Sequence, residues 1–309
     1  MSEFAFPPPA TPAVTIEGGG RFPVHRIYCV GRNYADHVRE MGSQPTPPFF
    51  FTKPASALVA NGAAIPYPPR TANLQHEIEL VVAIGRAGRD IAAAAALEHV
   101  FGYAAGNDLT RRDLQAAAKQ GGLPWDAGKG FDHSVPVAAI RPAARGHLTR
   151  GRIWLSVNGE TRQDADLSLM LTPVPQLIAE VSTLYELKAG DLIFTGTPAG
   201  VGPLKPGDQL EGGIEGLEVL RRAVRAHRRP QVDRHRFEGH ALEVERDAHA
   251  VGGGAAEVVI ELHATHADGA MVLRSTSSPS MPPSSWSPGF SGPTPAGVPV
   301  KMRSPASSV

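Results

Sequence analysis

From about residue 23 to residue 225 the chain repeats one pattern, short apolar runs broken by turn residues. Longer helical periodicity is confined to segments near 34–41, 90–101, 110–121 and 173–184. The apolar runs read as strands. Residues 76–84 (His-Glu-Ile-Glu-Leu-Val-Val-Ala-Ile) are rich in β-branched and aliphatic side chains. A strand's period of two puts Glu77 and Glu79 on one face and lets Ile78 and Leu80 pack behind them. Residues 153–157 followed by Asn158-Gly159 read as a strand and a tight turn, and residues 191–194 as a strand running into the loop Thr195-Gly196-Thr197-Pro198. The sum is a mixed α+β chain, a mixed sheet with peripheral helices. No Gly-x-Gly-x-x-Gly joins a strand to a helix, so a dinucleotide fold has no local support.

Both ends depart from this pattern. Residues 1–22 are rich in Pro and Gly and read as an N-terminal arm, with order expected from near Val24. Residues 226–309 read as an atypical tail: 226–250 are dense in His, Arg, Asp and Glu, and 275–299 are crowded with Ser and Pro. That composition cannot easily build a core, so the tail is expected to be disordered, with residues 255–262 as a lone strand candidate. His227, His235, His240 and His249 lack zinc-ligand spacing. A chain of 309 residues with 30 basic and 30 acidic side chains has no net field for a polyphosphate backbone, which argues against a nucleic-acid partner. Cys29 is the only cysteine, so no intrachain disulfide forms. With no basic-then-apolar leader and no apolar stretch of spanning length, a cytoplasmic protein without a membrane partner is expected.

The candidate chemistry starts from Glu77 and Glu79, joined by Asp108 after a second apolar segment. Neighbouring carboxylates repel unless a proton or cation relieves them, and a hard, oxygen-ligated ion such as Mg²⁺ or Mn²⁺ does so without protonating them. A zinc-protease helix is a poor reading, because Leu80 stands where the second His belongs. His37 and Glu40 lie three apart on one face of the segment 34–41, where a carboxylate orients an imidazole and leaves its other nitrogen to take a proton. Lys129 lies between Gly128 and Gly130, small neighbours that permit close approach of a ligand. Taken singly, each feature has an ordinary counterpart: a solvated acidic edge, a surface His–Glu pair, a glycine-rich loop.

Taken together, the motifs resemble the fumarylacetoacetate hydrolase family, and within it the acylpyruvate hydrolases, most of all those acting on fumarylpyruvate. They are CVGRNYADHVREM at 29–41, FTKP at 51–54, HEIEL at 76–80, DLTRRDLQ at 108–115, GLPW at 122–125, KGFD at 129–132, VNGE at 157–160 and TGTPAGVG at 195–202, in family order. The resemblance implies a rolled, barrel-like mixed sheet with peripheral helices, a catalytic domain over 23–225 and a homodimer. It implies that Glu77, Glu79 and Asp108 hold one Mg²⁺ or Mn²⁺, with Ca²⁺ as a crystallisation substitute, leaving positions for a 2-keto acid's carboxylate and keto oxygen. His37, oriented by Glu40, would activate water. Lys129 would stabilise the developing enolate, and Arg32, Lys53, Arg112, Gln115 and Thr197 would complete the substrate pocket. The implied reaction splits fumarylpyruvate and water into fumarate and pyruvate, a step of aromatic-acid breakdown through gentisate. Oxaloacetate decarboxylation, general acylpyruvase activity and a catalytically silent metal-binding scaffold are the alternatives.

Overall fold

Alternation along the strand Ile78–Ile84 divides the core in two. All seven of its residues are buried. Ile78, Leu80, Val82 and Ile84 enter a large core with Leu74, Ile153, Leu155 and Ile178, whereas Val81 and Ala83 enter a second core with Ile27, Cys29 and Phe194. Burial on both faces explains the near-continuous apolar run. This strand pairs antiparallel with Val100–Asn107 on one side and Leu192–Phe194 on the other. The full six-stranded order is Arg141–Pro142, Val100–Asn107, Ile78–Ile84, Leu192–Phe194, Ile27–Gly31, Phe49–Lys53. Leu192–Phe194 runs parallel to Ile27–Gly31, which makes the sheet mixed.

A computed structural model describes residues 4–42, 44, 47–59 and 62–226, together with the backbone of three later strands. A second sheet orders Glu160–Asp166, Arg152–Val157, Gln209–Ile214, Leu220–Arg225 and Ile65–Pro66. Its first hairpin turns at Asn158 and Gly159, both with positive φ (54° and 82°), the backbone a two-residue turn of this hand requires. The inner side chains Ile153, Leu155 and Ile214 share the large core with Ile78 and Leu80.

Helices form at Ala35–Glu40, Arg112–Gln120 and Val174–Leu184, inside three of the four expected segments, and a short further one spans Asp126–Lys129. The fourth expected segment, 90–101, holds a 3₁₀ helix at Ala93–His99. There the buried residues Ala96 and His99 are three apart, the 3₁₀ period, and its other alanines have little apolar surface to bury. The fold is α+β with mixed sheets and peripheral helices. The expected rolled barrel needs correction: among the described residues no sheet closes on itself.

Part of the expected arm is packed. Ala13–Thr15 and Arg21–Pro23 pair antiparallel and bury Val14 and Phe22 in the second core. The chain divides into two units, Met1–Arg229 and Pro230–Val309. In the second unit Leu242–Glu243, Leu262–His266 and Gly269–Leu273 pair antiparallel in that order. Apart from Ala226 and these three strands, the tail expected to be disordered over 226–309 lies outside the described residues, as does the lone strand expected over 255–262 apart from Leu262.

Candidate active site

Glu77 sits at the break between the strands Leu74–His76 and Ile78–Ile84, Glu79 follows two residues on, and Asp108 comes directly after Val100–Asn107. Pairing of these strands brings the three together. The Asp108 amide donates to the Glu77 carbonyl at 2.9 Å, and the Glu77 amide donates to Asn107 Oδ1 at 2.9 Å. One oxygen of each carboxylate lies within 4.8 Å of the others, and all three residues are buried.

Three cations surround them. Lys129 Nζ donates to Glu77 Oε2 at 2.8 Å and to Asp108 Oδ2 at 2.7 Å. Arg112 pairs with Glu77 Oε1 and donates to Gln75 and Gln115, at 2.7 and 2.5 Å. Lys53 lies 2.7 Å from Asp108 Oδ1 and donates to the carbonyls of Leu109 and Ser134. Burial drives the Glu77 carboxyl upward, but Lys129 and Arg112 overcome it and hold the group well below the usual carboxylate range. Glu79 goes the other way. Burial, with Asp108 and Glu77 beside it, pushes Glu79 well above its ordinary value, and no side-chain cation among the described residues pairs with it. It accepts one backbone hydrogen bond, from Gly196 at 2.7 Å.

A divalent ion fits this donor set. Three buried carboxylate oxygens within one ion's reach, one of them short of positive charge, are the hard ligands Mg²⁺ and Mn²⁺ prefer. Counted formally, Lys53, Lys129 and Arg112 already balance the three carboxylates. Adding a dication would leave an excess of two positive charges, which suits a dianionic ligand.

The loop after Leu192–Phe194 supplies the opposite wall. Gly196 adopts φ +92° and turns its amide toward Glu79, and a Cβ there would stand 2.7 Å from Asn33 Cβ. Thr197 Oγ1 donates to the Ile78 carbonyl and accepts from Gln163 Nε2, both at 2.8 Å. Gln163 reaches in from the second sheet, is fully buried, and also accepts from the Ile78 amide at 3.1 Å. His37 Nδ1 lies 3.1 Å from Glu40 Oε2, and the Gly200 amide anchors that carboxylate from across the loop. That pairing leaves Nε2 as the ring nitrogen that Glu40 does not engage.

One cavity gathers His37, Glu77, Glu79, Asp108, Arg112, Gln115, Lys129, Thr197 and Arg32. Lys53 is not on its wall: its side chain is 0% exposed and sits behind Asp108. The glycine beside Lys129 has a different use from the expected one. A Cβ on Gly128 would meet the backbone of Gln115 at 2.9 Å, so the small residue admits helix Arg112–Gln120 rather than a ligand. Pattern reading missed Gln163 and the cavity residues Phe49, Trp125 and Lys119. The helical spacing of Lys119 from Arg112 and Gln115 was a usable signal for one of them, whereas nothing local marks Gln163.

Residues 26–225 match the family model described as fumarylacetoacetate (FAA) hydrolase C-terminal. A candidate fumarylpyruvate hydrolase from Burkholderia cenocepacia is similar in structure, with 55% identity and a TM-score of 0.69, covering 74% of this chain and 97% of its own. Fumarylpyruvate hydrolase from Pseudomonas aeruginosa, solved with Mn²⁺ and pyruvate, is 47% identical with a TM-score of 0.70 over 73% of this chain and 99% of its own. The human mitochondrial oxaloacetate tautomerase FAHD1 is 47% identical over 193 residues, 62% of this chain and 87% of its own length. Its mitochondrial name, shared by the bovine and mouse proteins, overturns the expectation of a cytoplasmic protein. A single cysteine bears on redox conditions alone, and it does not separate one reducing compartment from another. With 200 matched residues carrying the metal triad, the dyad and both cavity walls, the chain belongs to the fumarylacetoacetate hydrolase family.

Proposed function

We propose that this is a metal-dependent enzyme acting on 2-keto acids that carry a second carbonyl group two carbons away, with oxaloacetate as the leading substrate and pyruvate enolate as the common product of bond cleavage. The observation that carries the reading is the buried triad Glu77, Glu79 and Asp108 ringed by Lys129, Arg112 and Lys53 beside the His37–Glu40 dyad. Mg²⁺ or Mn²⁺ bound there would supply Lewis acidity toward a 2-keto acid's carboxylate and keto oxygen. Lys129, within hydrogen-bond reach of two of the ligands, places an ammonium where negative charge develops on the enolate oxygen. Arg112 and Gln115 are held to each other on the cavity wall, where they would meet the substrate carboxylate, and Lys53 fixes Asp108 from behind. Thr197, tied at both its donor and its acceptor side, sets the wall opposite. For oxaloacetate, loss of carbon dioxide leaves the bonding pair on C3, and His37 would pass one proton, drawn from water, to that carbon. Moving a proton between C3 and the enol oxygen uses the same groups. Oxaloacetate leads because curated relatives of 42–47% identity are named oxaloacetate tautomerases or decarboxylase.

Hydrolysis of fumarylpyruvate is the second reading, and the His37–Glu40 geometry favours it. With Nδ1 tied to Glu40, Nε2 can take a proton from water. Hydroxide then adds to the acyl carbon, and the bond to the methylene breaks with its pair leaving as pyruvate enolate. The position in gentisate breakdown belongs to this second reading, and a homodimer to either. Steady-state kinetics on oxaloacetate, fumarylpyruvate and acetylpyruvate, with Mn²⁺ and then with excess chelator, test it. Metal-dependent turnover with oxaloacetate preferred is expected; chelator-insensitive turnover, or none of any substrate, would refute it.

A further inference from the structure

The strand Leu192–Phe194 stops short of the metal ligands. It pairs with Val81–Ala83, and the next bond along that edge runs from the Thr195 amide to the Leu80 carbonyl at 3.1 Å. The Gly196 amide then leaves the ladder and donates to the Glu79 side chain. Ile78, the residue between Glu77 and Glu79, therefore lies past the end of that strand. It is fully buried, so its amide and carbonyl need partners all the same.

Two side chains take the strand's place. The Ile78 amide donates to Gln163 Oε1 at 3.1 Å, and the Ile78 carbonyl accepts from Thr197 Oγ1 at 2.8 Å. Gln163 Nε2 in turn donates to Thr197 Oγ1 and to the Pro198 carbonyl, both at 2.8 Å, and Oε1 also lies 2.9 Å from His76 Nδ1. The Pro198 carbonyl can only accept and the Ile78 amide can only donate, so the Gln163 amide has one orientation and the His76 hydrogen sits on Nδ1. This one buried amide thus makes four bonds. They grip the residues on both sides of Glu77 and join them to the loop whose Gly196 amide holds Glu79.

We propose that Gln163 is a positioning residue for the metal centre: it stands in for the absent strand partner of Ile78, fixes the spacing of Glu77 and Glu79, and ties both to the cavity wall at Thr197. The inference rests on the reading that the triad holds the ion. Gln163 does not line the cavity, so it acts through the backbone its amide holds. A leucine of nearly the same size would fill the space and make none of the four bonds, leaving Ile78 and the loop free to separate.

Calorimetric titration of the full-length protein with Mn²⁺ alone, well below its Tm, tests this. Gln163→Leu should weaken binding about tenfold, the low end for residues that support a metal's ligands, because it holds their backbone and not their oxygens. The electron paramagnetic resonance spectrum of bound Mn²⁺, which follows the spacing of its ligands, should change with it. Ile178→Val lies in the same large core but off the cavity wall, so it lowers stability without touching the clamp and should leave affinity and spectrum unchanged. Thr197→Val breaks the clamp from its other half and should weaken Mn²⁺ binding similarly, whereas Thr197→Ser keeps the hydroxyl and should keep the affinity. Because both halves act on Ile78, the loss in Gln163→Leu/Thr197→Val should be smaller than the product of the single losses. Wild-type affinity in Gln163→Leu, or an equal loss in Ile178→Val, overturns the positioning role and leaves the triad as the ion's site. If Gln163→Leu does not fold, the Thr197 pair decides, and equal affinities in Thr197→Val and Thr197→Ser overturn the role. Failure of the wild type to bind Mn²⁺ overturns the metal reading and the positioning role with it.

Discussion

Replacing Lys129 by Met keeps a side chain of similar length and removes the ammonium that bridges two buried carboxylates. Lys129 is 3% exposed and donates to Glu77 at 2.8 Å and Asp108 at 2.7 Å. Without it, three buried carboxylates face only Arg112 and Lys53. Removing one partner of a buried ion pair costs about 3–5 kcal/mol, because the other charge remains without water or a counterion. Protonation of Glu79, already pushed upward, relieves part of this, so the lower end of about 3 kcal/mol is expected. At roughly 2–4 °C per kcal/mol for a folded unit of this size, Tm without metal should fall by about 6–12 °C.

Mn²⁺ should reverse the loss, since a dication supplies the missing charge. Ion at a hundredfold excess over its Kd adds about 2.7 kcal/mol to any protein that binds it only when folded. In Lys129→Met the ion no longer competes with an ammonium for the same oxygens, so its increment in Tm should exceed that of wild type. The acid side gives an independent check. Glu77 is depressed in the wild type, so its contribution is present above its ordinary value of 4.5 and is lost as pH falls through the folded value. The difference between the two proteins should therefore be full at neutral pH and should narrow below about pH 4.5. Differential scanning fluorimetry with and without Mn²⁺, at several pH values, measures all three. An unchanged Tm in chelator, or a smaller Mn²⁺ increment in the variant than in wild type, would refute the argument.

Glu77→Ala and Asp108→Ala should each abolish calorimetric Mn²⁺ binding together with turnover, and wild-type affinity in both would remove the triad as the ion's site. His37→Ala should lower hydrolysis of fumarylpyruvate by about 10²–10⁴-fold while keeping Mn²⁺ affinity; equal rates at saturating substrate would rule out His37 as the base. Gln163→Leu leaves the Ile78 amide and the Pro198 carbonyl without their side-chain partner, so chemical denaturation should show a loss of about 1–3 kcal/mol, and an unchanged midpoint would count against the Gln163 network. A chain ending at residue 229 keeps every site residue and the last strand of the first unit, so it should be soluble with the full-length kcat; aggregation or inactivity would show that later residues are required.

Pattern alone determined what is periodic or short-range. The alternation through 78–84, the Asn158-Gly159 turn and the helical spacing of His37 and Glu40 depend on neighbours a few residues apart, and all three stand where the sequence puts them. The carboxylates carried enough chemistry in their types and spacing to suggest a metal site, and the ordered motifs identified the family. Tertiary structure decided what depends on residues far apart in sequence. Pairing of Ile78–Ile84 with Val100–Asn107 is what brings Asp108 to Glu77 and Glu79. Lys53 and Arg32 are alike as cations in the sequence, but burial places one behind Asp108 and the other on the cavity wall. Gln163 is the one buried residue of a hairpin strand, and only sheet packing turns it inward to Thr197 and Ile78. Closure of the sheets was equally out of reach, because local periodicity sets which side a residue faces and leaves the pairing of distant edges to the folded chain.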